Sequence, residues 1–147
     1  MNGRNVDQQL QEITCIARAG REFFAAAYPV LADAEIRTAF AYVGDVKHRL
    51  IADLHPWVPG LSANDRRSSR VAAVERAYVE ALAGFDGRMS DTVALALGFG
   101  EDQLLNLVGR AYEGARLPAL RLLLKTHYSQ LLICRQAMWR LSGRMAA

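Results

Sequence analysis

Apolar residues recur along this chain at alternating intervals of four and three. The first such row is Val6, Leu10, Ile13, Ala17, Gly20, Phe24 and Ala27. That spacing marks the buried seam of a helix in a left-handed bundle, and it predicts a helix from Val6 to Tyr28. Pro29 ends it, because proline disfavours helical geometry in the residue before it. Asp33 is a good N-cap, with Glu35 in the following turn. The second row runs Ile36, Phe40, Val43, Leu50 and Leu54 and stops before Pro56. So few residues separate the two helices that they must form an antiparallel hairpin.

Pro56 to Asn64 reads as a loop, with Pro59-Gly60 as turn punctuation. A shorter helix is predicted from Asp65 to Ala83, carrying Val71, Val74, Tyr78, Val79 and Leu82 and ended by Gly84 and Gly87. The next long row is Val93, Leu97, Gly100, Leu104, Leu107 and Ala111, opened by Ser90 or Asp91 and closed at Glu113, with Gly114 suited to the C-terminal cap. The last helix starts at Leu117-Pro118, proline being accepted in a first turn. Its row is Leu117, Leu120, Leu124, His127, Leu131, Cys134, Met138 and Leu141, with a frayed tail from Ser142. The expectation is therefore an all-α chain: an antiparallel bundle of four long helices with a shorter fifth helix in the second connection. It forms a single domain over 1–147 with its core at about 6–141.

Composition narrows the setting. The chain is 52% hydrophobic and 22% charged, a globular balance rather than a disordered one. A 147-residue domain buries roughly 70% of the surface its unfolded chain exposes. The net charge of +3 is a mild excess. Arg66, Arg67 and Arg70, and the looser group Arg135, Arg140 and Arg144, read as solvated helix faces, so no nucleic-acid partner is expected. Cys15 and Cys134 give no disulfide framework, which suits a reducing cytoplasm. The polar stretch from Met1 to Leu10 argues against a secretory signal. No apolar run reaches the ~20 residues of a membrane span.

Two half-repeats are visible. Ala19-Gly20-Arg21-Glu22 followed by Phe24 parallels Phe99-Gly100-Glu101-Asp102 followed by Leu104, and Glu35-Ile36-Arg37 parallels Ala119-Leu120-Arg121. Two hairpins joined by one long connection is the layout of ferritin-like bundles. On Gly20 to Ala27 with Ala34 to Phe40, and on Gly100-Glu101-Asp102 leading to Ala111-Tyr112-Glu113, the chain resembles the bacterial ferritin-like four-helix-bundle proteins of unassigned function. In that family an acidic residue tends to follow the glycine of each hairpin; Glu101 fits and Arg21 departs. The resemblance implies a possible di-iron or di-manganese centre, which ferritin-like enzymes build from a Glu on each of two helices and a Glu-x-x-His pair on each of the others. The matching positions are Glu22, Asp45, His48, Glu101 and His127. The last helix offers Leu124 where a carboxylate belongs, and Asp45, His48 and Glu22 fall away from the apolar rows, so no resident cofactor is expected.

The inward rows hold a different set. Lys47 interrupts the second row and His127 the last, while Arg21 and Glu101 lie beside Gly20 and Gly100. All four sit at one level, about 10 to 15 residues from the end that holds the first turn. Buried charges need partners, and Glu101 is the one acid on an inward edge. The sequence thus predicts a central polar layer with an Arg21–Glu101 pair and with His127 and Lys47 in the same network. The function expected is that of a non-catalytic interaction or stress-associated protein that forms homo-oligomers. The alternatives are a carboxylate-type di-iron oxidoreductase or ferroxidase, and a binder of a small anion or organic ligand.

Overall fold

The computed structural model describes residues 3–58 and 68–146, and the side chains of 5–58 and 68–141. Its helices are α1 (Gly3–Ala27), α2 (Ala34–Leu54), α3 (Ser69–Ala83), α4 (Asp91–Gly114) and α5 (Pro118–Ala146), and no strand occurs among the described residues.

The boundaries follow from local chemistry. Pro29 converts the end of α1 into a single tight turn, Tyr28–Val30. Asp33 then accepts the backbone N–H groups of Glu35 at 2.9 Å and Ile36 at 3.1 Å, so α2 starts with two otherwise orphaned donors satisfied. Ser68 caps α3 through the Val71 N–H, and Ser90 caps α4 through the Val93 N–H. The predicted start of the short helix at Asp65 lies outside the described residues, as does the loop from Pro59 to Asn64. Gly114 is the last residue of α4 rather than its cap; Ala115, in extended conformation, takes that role. The Arg121 guanidinium donates to the carbonyls of Tyr112 and Ala115 at 2.8 and 3.0 Å, which neutralises this helix end and fixes the turn into α5. Helix α5 continues to Ala146, past the predicted fraying point at Ser142.

Helices α1, α2, α5 and α4 pack side by side in a closed ring, each touching the next, and α3 lies in the groove between α1 and α4. Neighbours in the ring are antiparallel. Asp53 of α2 meets His127 of α5, and Gly114 of α4 lies against Val6 of α1. Helices α2 and α4 therefore run in the same direction and face each other diagonally across the centre. The rows read from the sequence fill this centre, except Leu117 and Val79, which are 59% and 67% exposed. Leu117 precedes the first turn of α5, and Val79 points outward from α3 beside the inward Tyr78. Near the first turn, Phe23, Phe24, Phe40 and Phe85 form an aromatic cluster, with Phe24 and Phe40 edge to face at 4.9 Å. Among the described residues no helix is long and apolar enough to cross a membrane.

Two glycines set how closely α3 can approach. A Cβ on Gly100 would lie 2.2 Å from the Tyr78 hydroxyl oxygen, and one on Gly20 would lie 3.2 Å from the same atom and 2.7 Å from Lys47 Cε. Tyr78 is thus slotted into a notch formed by one glycine from each half-repeat. Gly98, on the same helix, has nothing within 4 Å of its Cβ position. Two substitutions two residues apart should therefore move thermal stability in opposite directions. Gly98→Ala should stabilise by about 0.5–1 kcal/mol through helix propensity, whereas Gly100→Ala should destabilise by about 1–3 kcal/mol through overpacking. Equal shifts in melting temperature for the two variants would contradict the notch.

Candidate functional site

The second row is interrupted by Lys47 because α2 turns that position to the centre of the ring, between Val43 and Leu50. Directly across, α4 presents Glu101. Lys47 Nζ donates to Glu101 Oε2 at 2.5 Å, and both side chains are fully buried. The ammonium also lies 5.4 Å from the centre of the Phe24 ring, on whose negative face a cation is favoured. This pair spans the bundle diagonally and ties the two parallel helices to one register.

The rest of the centre is polar but less completely satisfied. The Tyr78 hydroxyl, delivered from α3 through the glycine notch, and the second carboxylate oxygen of Glu101 are both buried without a hydrogen-bond partner. Burial, then the Glu101 carboxylate, then Cys134 hold the Tyr78 phenol well above its ordinary range. Cys134, fully buried on α5, has its thiol pushed up to about 12, chiefly by burial, with Lys47 pulling the other way and Glu101 adding to the rise. At neutral pH the phenol and the thiol beside the Lys47–Glu101 pair therefore both keep their protons.

The structure distributes the sequence-predicted residues differently from the expectation. Glu101 pairs with Lys47 and not with Arg21, which sits partly exposed at the rim. The reason lies in the angular position of each residue. At about 100° per residue, Arg21 and Glu101 are equivalent relative to their glycines. However, α1 also buries Ile16 and Phe23, on the opposite side of its seam. It also buries Thr14, two turns before Arg21 on the same face, so this flank is covered at Thr14 but only in part at Arg21. Helix α4 instead buries Glu101 together with Leu105 and Val108, so its arc extends over the carboxylate.

His127 is buried but bonds outward. Its Nε2 lies 2.8 Å from Asp53 Oδ2, a carboxylate half open to solvent, and its Nδ1 is buried without a partner. It belongs to the α2–α5 edge rather than to the Lys47–Glu101 network. Sequence reasoning missed Tyr78 and Asp53. A signal for the true pair was present, because Lys47 stands on the four-and-three rhythm itself, whereas Arg21 stands one residue beside it.

The positions matching a ferritin-like metal centre are not brought together. Glu22, Asp45 and His48 are exposed, and Asp45 is engaged with Arg49 one turn along α2 at 3.1 Å. Among the described residues no three His, Cys, Asp or Glu side chains are grouped so as to hold a metal ion. Where such a centre would need anionic ligands, an ammonium already occupies the one inward carboxylate. The residues present do not fit a di-iron or di-manganese group. Comparison with protein-family models, with curated proteins and with solved structures finds no match for this chain.

Two measurements test this electrostatic picture. Lys47→Ala, which strands a buried carboxylate, should cost about 3–5 kcal/mol in chemical denaturation, and the apolar pair Lys47→Met with Glu101→Leu should cost far less. Additive single and double effects would rule out the coupling. The second is alkaline stability. In the unfolded chain the Cys134 thiol ionises near its ordinary value of about 8.5, and in the folded chain only near 12. The folded state binds the extra proton in between, so its contribution is intact below about pH 8.5 and is lost at up to about 1.4 kcal/mol per pH unit above it. Tyr78 adds to the decline further up. Cys134→Val should flatten the first part of this fall, and an unchanged slope would contradict the assignment.

Proposed function

We propose that the chain is a ferritin-like helical bundle in which a buried ion pair takes the place of a metal centre, and that it acts as a non-catalytic interaction protein that self-associates. The observation that carries this reading is the Lys47–Glu101 pair, 2.5 Å long and closed to solvent, at the middle of the bundle. One long connection between two antiparallel hairpins supports the ferritin-like layout. A positive charge at the centre opposes a di-cation, and Lys47 is already committed to Glu101, so an anionic ligand would have to displace an internal carboxylate.

The α4–α5 face supports self-association. Leu95, Phe99 and Asp102 follow one another at helical spacing on α4, and Leu132, Arg135 and Trp139 do so on α5. Leu95 is 75% exposed and Trp139 58%, while Asp102 and Arg135, which lie between them, neutralise each other at 2.8 Å. An apolar face whose central charges are paired with each other can meet its own copy about a two-fold axis with little like-charge repulsion there. Beside it, a groove of about 450 Å³ is lined by Leu132, Arg135, Gln136, Trp139 and Arg140, room for an inserted side chain.

Two experiments bear on the two halves of the proposal. Protein purified after growth with added iron or manganese should retain no stoichiometric metal by elemental analysis. Two ions per chain liganded by Glu101 and His127 would overturn the reading. Sedimentation should show a dimer or larger species that Leu95→Glu or Trp139→Glu converts to monomer without loss of helicity; a wild-type chain that stays monomeric at every concentration would remove the self-association.

A further inference from the structure

Helix α3 differs from the other four in how it is held. Among the described residues it packs mainly against α1 and α4 and stands outside the ring. It buries four residues, Val71, Val74, Tyr78 and Ala81, where α4 buries ten. Its deepest contact is the Tyr78 hydroxyl, which reaches the polar centre yet finds no hydrogen-bond partner, and the neighbouring Glu101 Oε1 is likewise unpartnered. Each unsatisfied buried polar atom favours any state in which water reaches it. The chain leaving α3 is built to turn. Gly84 has open space around it and can pivot, while Phe85 in the aromatic cluster and Gly87, at a φ of +94° and close against the Val30 carbonyl, anchor the chain that follows. Directly beneath the Tyr78 hydroxyl lies the glycine notch, where a Cβ on Gly20 would meet both that hydroxyl, at 3.2 Å, and Lys47 Cε, at 2.7 Å.

We propose that α3 is a hinged cover that lifts from the α1–α4 groove as one unit, pivoting at Gly84. Its opening admits solvent and small reagents to the Lys47–Glu101 pair while the four-helix ring stays folded. Closed, the cover seals an amine and a carboxylate in an apolar interior; open, it presents them at the floor of a helix-sized groove. The device therefore sets when the centre is accessible. It does not depend on the self-association or the absence of metal proposed above, because each could fail with the cover intact. Local opening of this kind draws on the least-anchored element of a fold.

The sequence makes the test clean, because Lys47 and Lys125 are its only lysines. The intact protein is treated with an amine-acylating reagent over a series of low denaturant concentrations, and acylation of each lysine is followed by mass spectrometry, with exposed Lys125 as the internal control. Amide hydrogen exchange is followed in parallel. Lys47 should acylate far more slowly than Lys125, yet about a hundredfold or more faster than global unfolding permits. The α3 amides should exchange together with the same opening constant, ahead of those of α1 and α4. Tyr78→Phe, which removes the orphaned hydroxyl and keeps the ring, should slow Lys47 acylation about tenfold, and Tyr78→Ala should speed it. Acylation of Lys47 that tracks global unfolding at every denaturant concentration, or α3 amides protected as strongly as those of α4, would overturn the cover.

Discussion

Placing an ammonium and a carboxylate in the middle of a helical bundle constrains everything around them. Either charge alone would be severely unfavourable there, and even a pair regains its desolvation cost only with short, well-directed contact. That requirement fixes the separation and register of α2 and α4, one of the two diagonal pairs of the ring. Their neighbours then adapt. Phe24 offers its face to the cation, and Gly20 leaves room for the Lys47 stem. Gly100 leaves room for the Tyr78 hydroxyl, which brings α3 into the α1–α4 groove. Replacing a buried pair by apolar side chains is often neutral or stabilising, so the role we assign to it is registry rather than net stability.

The choice of lysine is consistent with this role. The sequence places arginine at most of its basic positions, including the partly buried Arg121 at the α4–α5 turn, where a planar guanidinium serves two carbonyls at once. Lys47 has one acceptor to reach and one aromatic face to sit over, and a compact ammonium on a thin stem fits between Gly20 and Phe24 where a guanidinium fork would not.

Much of this was legible in the sequence, but unevenly. The four-and-three rows placed all four long helices, Asp33 marked one helix start, and Ser90 or Asp91 marked another that the structure assigns to Ser90, because capping and periodicity are local. Lys47, Glu101 and His127 were also found as inward polar residues, since each interrupts or borders a row, but His127 lies at another level, against Asp53, about two turns along α2 from Lys47. Their partners were not legible. Periodicity assigns a residue to a face without saying how far the buried arc extends to either side. Arg21 and Glu101 look equivalent in the sequence, yet the packing covers Glu101 fully and Arg21 only in part. The Tyr78 plug could not be read because it depends on two glycines from different helices meeting at one point. The Asp53 contact was hidden for the opposite reason: a half-exposed carboxylate beside Leu54 looks like any solvated charge.

The account rests on Lys47 being sealed against Glu101 at the centre of the folded chain, and the ammonium itself can report it. In a nitrogen-15-labelled sample only two lysine side-chain signals are possible, from Lys47 and Lys125. The account predicts that the Lys47 ammonium protons exchange with water much more slowly than those of Lys125 and show through-space contacts to Phe24 and Tyr78. A Lys47 ammonium that exchanges as fast as that of Lys125, with no contact to either ring, would contradict it.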